Sequence, residues 1–232
     1  MGIPENIQNL KNRIEKVTSK IGKTPAEVKL IAVSKTRTVE EIERALENGI
    51  DLIGENKVQE SEKKIPKLKD KYREFHFVGH LQSNKIKKLM PLKPAMIHSI
   101  DKFSTAKKLD KFIKKNNLAK QKILIEVNTS GEKTKFGTKP DQTISLVKQI
   151  SQLPNLKIMG LMTIGIFSSD EDKIRKCFKQ LSSLFTTIKN KNISNVQMQY
   201  LSMGMTNDFE IAIEEGANII RIGTYIFGQR NY

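Results

Sequence analysis

The sequence predicts an α/β fold, namely a (β/α)8 barrel of the TIM type with an extra N-terminal helix. Runs typical of β-strands occur eight times along the 232 residues, and patterns typical of amphipathic helices separate them. Strands that alternate with helices form βαβ units and a parallel sheet. Eight such units in a chain of this length match a closed barrel, which usually has about 250 residues.

The predicted strands follow one another at regular intervals. In chain order they are VKLIAVSK (28–35), DLIGEN (51–56), FHFVGH (75–80), AMIHSI (95–100), KILIEVN (122–128), LKIMGLMTIG (156–165), VQMQYLSMG (196–204) and NIIRIGTYIFG (218–228). A helix over residues 4–21 precedes the first strand. We expect the eighth strand to end near Gly228, so that a single domain, residues 1–232, uses the whole chain.

Capping residues mark the helix that follows the first strand. Thr38 can cap its N-terminus, Glu41 stands three residues later as in a capping box, and Gly49 ends the pattern. The competing fold is an open doubly wound sheet, whose dinucleotide-binding form needs glycines after an early strand. The first junction, SKTRTVE, contains no glycine, and a P-loop pattern is absent from the sequence. The barrel is therefore favoured.

Composition indicates a cytoplasmic protein with no membrane partner. No apolar run approaches the roughly 18 to 20 residues of a membrane-spanning helix. The N-terminal segment mixes acidic and amide residues into its apolar pattern, unlike a signal peptide. Cys177 is the only cysteine, which excludes a disulfide framework and a cysteine-rich metal site. We expect a monomer.

The net charge of +16, from 41 Lys and Arg against 25 Asp and Glu, suggests polyanions as partners. However, only seven of the cations are arginines, the residue suited to bidentate contacts with phosphates and bases. The lysines lie on helix-like stretches among acids or amides, and no basic strand carries interleaved aromatic residues. A solvated lysine-rich surface is favoured, and specific nucleic-acid binding is the alternative.

Polar and glycine-rich segments end the predicted strands, where the active sites of such barrels lie. They are Lys35, GEN (54–56), GHLQSNK (79–85), His98, Asn128, Thr163, LSMGMTND (201–208) and RIGTYIFG (221–228). Glu55 and Asp208 are the only obvious acids among them, so the two opposed acids of a glycosidase are disfavoured.

The loops after strands seven and eight favour a phosphate site, because barrels often bind phosphate there. Gly204 and Gly223 would let backbone N–H groups approach an anion, and Ser202 and Thr224 add hydroxyls. Each glycine on its own can equally serve a tight turn. The two loops together therefore indicate phosphate binding without requiring it.

Arg221 and Lys35 extend this site towards one cofactor. Arg221 lies inside the last strand, where an unpaired guanidinium is costly, so it requires an acceptor such as a ligand ring nitrogen or an acid. Lys35 ends the first strand, next to the eighth across the barrel closure. A phosphate site, a strand-borne lysine and an inward arginine suggest pyridoxal 5'-phosphate (PLP), which a lysine holds as a Schiff base.

The sequence resembles the pyridoxal phosphate homeostasis proteins, which are single-domain relatives of the N-terminal barrel of bacterial alanine racemase. The segments that carry the resemblance are IAVSKTR, GENKVQE, HFVGHLQSNK, GLMTIG and SMGMTNDFEIAIEEGANIIRIGTYIFGQR. The resemblance implies that Lys35 carries PLP as a Schiff base and that Arg221 faces the pyridine nitrogen. It implies that Asn56 and Met203 lie near the ring or its linkage. It also implies that three residues surround the phosphate: Ser202, Gly223 and Thr224.

The resemblance further implies a role in vitamin B6 and amino-acid homeostasis, with no established reaction. Racemisation needs an acid or base on each face of the cofactor. We expect this chain to lack the second domain that supplies one of them in the racemase. Lys35 can serve as one base, and no tyrosine or cysteine is an obvious second. A PLP carrier or buffer that supplies apo forms of PLP-dependent enzymes is therefore favoured over an enzyme, and a low-activity racemase is the alternative.

The remaining candidates receive structural interpretations. His76, His80 and His98 lack the spacing of a zinc site and have no cysteine partners, so we expect no metal. His80 is the histidine most suited to line the mouth of the barrel. Arg37 and Lys135 lie just beyond strand ends, where they can attract an anionic ligand or remain solvated.

Overall fold

The computed structural model describes residues 2–229, and its eight parallel strands form a closed barrel. The predicted fold class is confirmed. The strands are β1 (Lys29–Val33), β2 (Leu52–Glu55), β3 (Glu74–Phe77), β4 (Met96–Ile100), β5 (Gln121–Glu126), β6 (Leu156–Met162), β7 (Val196–Ser202) and β8 (Ile219–Ile222). Each pairs with the next in chain order, and β8 closes on β1 through the register Ile31 to Arg221.

Helices surround the barrel. Within residues 2–229 they are α1 (Ile3–Lys20), α2 (Val39–Glu47), α3 (Val58–Lys64), α4 (Ile86–Leu89), α5 (Phe103–Lys115), α6 (Pro140–Ser151), α7 (Glu171–Asn190), α8 (Phe209–Glu214) and α9 (Thr224–Phe227). The predicted extra helix is therefore present as α1. Met1 and residues 230–232 of the predicted domain lie outside the described residues. No helix in the described part of the chain is long and apolar enough to cross a membrane.

The predicted capping box of α2 is confirmed. The backbone N–H of Thr38 donates to Glu41 Oε2 at 2.8 Å, and the backbone N–H of Glu41 donates to Thr38 Oγ1 at 3.2 Å. These bonds satisfy two amide groups at the helix terminus that have no partner within the helix. They fix where α2 starts, at Val39, four residues after Lys35.

The predicted end of the eighth strand is wrong. β8 stops at Ile222, and the next residues form the short helix α9, in which the backbone N–H of Gly228 donates to Thr224 O at 2.9 Å. The run TYIF is apolar and rich in strand-forming residues, and such a short run does not distinguish strand from helix. Ile226 is fully buried, and its carbonyl accepts a bond from the Asn6 side chain of α1 at 3.1 Å. Packing against α1 therefore accompanies the helical conformation.

The barrel interior contains both an apolar cluster and buried polar side chains. Ile31, Leu52 and Ile219 form a buried apolar cluster on β1, β2 and β8. Buried polar side chains lie towards the C-terminal ends of the strands, including Glu126 on β5 and Arg221 on β8. Because the C-terminal ends of all strands meet at one end of the barrel, these polar groups collect at its mouth.

Candidate functional site

A cavity of about 510 Å³ opens at the C-terminal end of the barrel. Residues of β1, β5 and β8 contribute to its wall, as do the segments that follow every strand except β4. Its size lies in the usual range of small-molecule sites, about 300 to 1,000 Å³. A larger groove of about 780 Å³ lies between α7 and β7, but none of the buried unsatisfied side-chain atoms described below lines it.

The structure brings together five of the predicted site residues. Lys35, Asn56, Arg221, Gly223 and Thr224 all line the mouth cavity. They come from β8 and from the segments that follow β1, β2 and β8, which are consecutive strands around the closed barrel. One wall of the cavity is therefore built from residues that are far apart in sequence.

The other two predicted residues lie elsewhere. Ser202 is fully buried, and its hydroxyl contacts Arg221 and His98 instead of lining the cavity. Met203 is fully buried in the apolar core between barrel and helices. The Ser202 hydroxyl is thus engaged by Arg221 and His98, and a contribution of Ser202 to the phosphate site stays a prediction.

The loop after β7 reaches the cavity further along the chain. Thr206 lines it, and the Thr206 hydroxyl accepts a bond from the backbone N–H of Tyr225 at 3.4 Å. Gly204 does not line the cavity; it has φ +92°, and a Cβ there would lie 2.6 Å from Ala212 Cβ. Gly204 therefore serves the turn, and Thr206 is the hydroxyl that sequence reasoning missed within the segment LSMGMTND.

Arg221 is held firmly in the cavity wall. Its Nη1 donates to Ser202 Oγ at 2.7 Å, and its Nη2 donates to the carbonyl oxygen of Thr163 at 2.8 Å. Burial lowers the pKa of its guanidinium to about 10, although Asp208 and Glu126 favour the charged form. Arg221 therefore stays cationic at neutral pH.

Glu126 is a cavity residue that the sequence interpretation did not select. It ends β5, is 2% exposed, and its Oε2 is buried without a hydrogen-bond partner. Burial, aided by the charge of Asp101, raises the pKa of its carboxyl to about 7 against the opposing effect of Arg221. The signal that could have found it is an acid two residues after Leu124, on the inward face of an apolar strand.

Buried polar atoms without partners concentrate around this cavity. Within residues 2–229 four such side-chain atoms occur, and three belong to cavity residues: Asn56 Oδ1, His80 Nδ1 and Glu126 Oε2. The fourth is Glu55 Oε2, although Glu55 Oε1 accepts bonds from Ser34 at 2.7 Å and Lys64 at 2.9 Å. Since buried polar groups in folded proteins are nearly always paired, a polar ligand is the natural partner of the three.

The backbone beside Lys35 is strained. Thr36 has φ +64°, a conformation in which a β-branched residue is an outlier. Its backbone N–H donates to Glu60 Oε2 at 2.7 Å, and its hydroxyl donates to the carbonyl oxygen of Lys35 at 2.6 Å. These contacts hold the turn that places Lys35 at the mouth.

His80, Lys135 and Arg37 are predicted to lie near the mouth of the barrel, and the first two line the cavity. His80 lines the cavity and stacks on Phe136 with ring centroids 3.7 Å apart. Lys135 lines the cavity, and its Nζ contacts Glu132 Oε1 at 2.6 Å and Gly165 O at 2.9 Å. Arg37 is not a lining residue; its guanidinium bonds the carbonyl oxygens of residues 228 and 229. Arg37 therefore anchors the segment that follows α9.

The chain matches a known protein family over almost its whole length. The family model described as alanine racemase, N-terminal domain, matches residues 6–231. The pyridoxal phosphate homeostasis protein of Aquifex aeolicus is 42% identical over 232 residues, which is 100% of both chains. This chain belongs to the pyridoxal phosphate homeostasis protein family. The member from Vibrio cholerae is 40% identical over 234 residues, covering 99% of this chain and 97% of its own length.

Solved structures share the barrel of this pyridoxal phosphate homeostasis protein family member. PipY of Synechococcus elongatus, solved with PLP bound, has a TM-score of 0.80 at 31% identity, covering 93% of this chain and 100% of PipY. An alanine racemase from Corynebacterium glutamicum has a TM-score of 0.70 at 11% identity, covering 99% of this chain and 61% of that enzyme. At that identity the likeness to the racemase shows the fold alone, and the predicted family resemblance is confirmed by the closer relatives.

Proposed function

We propose that this chain binds PLP in the mouth cavity as a Schiff base of Lys35. We propose that it contributes to intracellular PLP and amino-acid homeostasis as a carrier or buffer. Its relatives in Aquifex aeolicus and Vibrio cholerae are named pyridoxal phosphate homeostasis proteins, and PipY was solved with PLP bound. Apo forms of PLP-dependent enzymes are the recipients that this role requires, and residues 1–232 would act as one domain.

The observation that carries the proposal is the chemistry of the cavity wall. Lys35 and Arg221 share one cavity with three buried polar atoms that lack partners, on Asn56, His80 and Glu126. A ligand with an aldehyde, a heteroaromatic nitrogen and further polar substituents supplies partners for such a set. PLP when bound supplies an electron-withdrawing ring joined to an amine. The residues present therefore fit the cofactor.

The phosphate would lie at the loops after β7 and β8. Gly223 and Thr224 line the cavity there, together with Thr206. A Cβ at Gly223 would lie 3.2 Å from Val33 O, so the backbone packs closely against β1 at this point. The loops after the seventh and eighth strands, with a short helix, are the usual phosphate site of such barrels. Thr206 adds a hydroxyl to this site, and Ser202, the last residue of β7, remains part of the proposed phosphate site.

Arg221 favours a carrier over a strong catalyst. A guanidinium that stays cationic discourages protonation of a ring nitrogen placed against it, because two adjacent positive charges repel. A less positive ring withdraws electrons less strongly, which weakens its support for carbanion chemistry. The arrangement therefore suits storage and release of the cofactor.

A low-activity amino-acid racemase remains the second candidate, and Glu126 is the observation that favours it. Two proton carriers are needed, and Glu126, with a pKa of about 7, lies in the same cavity as Lys35. The test is solvent hydrogen exchange at the α-carbon of a panel of amino acids, with wild type and Glu126→Gln compared. Exchange that disappears in the variant supports the racemase. An absence of exchange in the wild type dismisses it.

The proposed binding is tested by visible absorption after PLP is added to the purified protein. Lys35→Ala removes the proposed amine, and Lys135→Ala is the matched control because Lys135 is another lysine that lines the cavity. We expect an imine absorption band in the wild type and in Lys135→Ala, and no such band in Lys35→Ala. A wild type without the band at excess PLP overturns the proposal. Transfer of PLP from the loaded protein to an apo-enzyme then tests the carrier role.

A further inference from the structure

A continuous chain of hydrogen bonds runs through the barrel interior to Arg221. Glu74 Oε2 lies 2.8 Å from His76 Nε2, and His76 Nδ1 lies 2.9 Å from His98 Nε2. His98 Nδ1 lies 3.0 Å from Ser202 Oγ, which accepts a bond from Arg221 at 2.7 Å. The chain links four strands, since Glu74 and His76 lie on β3, His98 on β4, Ser202 on β7 and Arg221 on β8.

The chain has only one consistent direction of donation. The carboxylate of Glu74 can only accept, so His76 carries a proton on Nε2 and donates to it. The Nδ1 of the neutral His76 ring then accepts from His98 Nε2–H. His98 Nδ1 in turn accepts from the Ser202 hydroxyl, which accepts from Arg221, a residue that can only donate. Every donor in the chain therefore meets an acceptor.

The protonation states agree with this direction. Burial lowers the pKa of His76 and lowers that of His98 well below its ordinary value, so both rings are neutral near pH 7. The bond from His76, with help from Lys29, lowers the pKa of Glu74 to about 2. A fixed cation at one end and a fixed anion at the other polarise the neutral links between them in the same sense.

We propose that Glu74, His76, His98 and Ser202 are positioning residues that fix the direction in which Arg221 faces the mouth cavity. Ser202 and the carbonyl oxygen of Thr163 accept from its two Nη atoms, which leaves other N–H groups of this lining residue for a ligand. Since Arg221 can only donate, the ligand atom it meets must be an acceptor. If the ligand is PLP, as the proposed function requires, that atom is a ring nitrogen that carries no proton.

The first test is made on the ligand-free wild type, so it does not depend on PLP binding. Nitrogen-15 NMR of the histidine side chains identifies which ring nitrogen carries the proton. We expect Nε2–H tautomers for both His76 and His98, unchanged between about pH 7 and 8. An Nδ1–H tautomer or a charged imidazolium at either position overturns the proposal.

The second test measures PLP affinity and the absorption maximum in variants of His98. His98→Leu removes both links, His98→Gln retains an amide donor and acceptor, and Met96→Leu is the control. Met96 lies two residues earlier on the same strand in a buried apolar cluster. We expect about tenfold weaker binding and a shifted absorption maximum for His98→Leu, with partial recovery in His98→Gln. His98→Leu that is folded and matches Met96→Leu in both readouts contradicts the positioning role.

The two tests separate failure of the proposed hydrogen-bond chain from failure of the proposed function. If the wild type does not bind PLP, the proposed function fails, while the tautomers still show whether the hydrogen-bond chain has the proposed direction. If PLP binds and the tautomers differ from those expected, the positioning role of the hydrogen-bond chain is wrong and the proposed function still stands.

Discussion

Lys35 and Glu126 line the same cavity from opposite sides of the barrel. They follow or end β1 and β5, which are separated by three strands in either direction around the closed sheet. A ligand attached at Lys35 and extending across the mouth therefore approaches a buried carboxyl. This relationship makes Glu126 a titratable group that a bound ligand would approach.

The first prediction concerns Glu126 and the way the free energy of unfolding depends on pH. Because the folded protein holds this carboxyl at a pKa of about 7, above its ordinary 4.5, it binds the proton more tightly than the unfolded chain does. The contribution of Glu126 to the free energy of unfolding therefore falls as pH rises from 4.5 to about 7 and is constant above that range. The full change is about 3 kcal/mol.

The measurement is urea unfolding of the ligand-free wild type and of Glu126→Gln between about pH 5 and 8. The variant cannot titrate at this position, so its stability should rise relative to the wild type as pH increases. A difference between the two proteins that does not change with pH would show that Glu126 keeps an ordinary pKa.

The second prediction concerns the buried pair beneath the mouth. Glu55 is fully buried and accepts a bond from Lys64 at 2.9 Å, while burial raises the pKa of its carboxyl. Lys64→Met leaves this acid without its cation, and we expect a loss of about 3 kcal/mol in unfolding free energy. Lys63→Met, at an exposed neighbouring position, is the control and should change little.

The double variant Glu55→Gln with Lys64→Met distinguishes a charge effect from lost packing. It should recover part of the stability lost in Lys64→Met, because no buried charge remains unpaired. Equal losses in Lys64→Met and Lys63→Met would show that the pair does not stabilise the fold. The midpoint and the slope of urea unfolding at pH 7 are compared between these variants and the wild type.

The third prediction concerns the turn after β7. Gly204→Ala combines a left-handed backbone, φ +92°, with a contact of 2.6 Å to Ala212 Cβ. We expect a loss of about 3 kcal/mol from backbone strain and overpacking together. Gly131→Ala has φ +74° but no atom within 4 Å of the added methyl, so it should lose only about 1 kcal/mol. Thermal unfolding compares the two, and similar losses would contradict a packing role for Gly204.

The fourth prediction concerns the charge of +16. Binding to duplex DNA should be independent of sequence and should weaken by about a thousandfold between about 50 and 200 mM salt. Lysines act as point charges on the phosphates, with little of the bidentate recognition that arginine provides. Fluorescence anisotropy with two unrelated duplexes measures this. Tight binding to one duplex that persists at the higher salt would favour a nucleic-acid function.

The sequence predicted the barrel because each strand and helix carries its own local signal. The capping box of Thr38 and Glu41 shows this well, since both bonds form within four residues of chain. Lys35 and Arg221 were found for a related reason: a charged residue at the end of an apolar strand is costly unless it serves the mouth. Closure of the barrel then placed both at one cavity.

The sequence does not show how deep along the barrel axis a side chain lies. Ser202 and Thr206 occur in one polar segment, and the sequence does not show which hydroxyl lies below the mouth and which lies in it. Glu126 was missed because the predicted strand ran on to Asn128, two residues beyond the observed end. The short helix at Thr224 was missed because its conformation depends on packing against α1, which is distant in sequence.

The central claim is the covalent attachment of PLP to Lys35, and peptide mass spectrometry after borohydride reduction of the PLP-loaded protein tests it most directly. Reduction makes the imine bond permanent, so the modified residue can be read from the fragments. We predict that the added mass of reduced PLP lies on the peptide that contains Lys35, and that Lys35→Ala acquires none. Modification at Lys135 or another lysine, with Lys35 unmodified, would contradict the account.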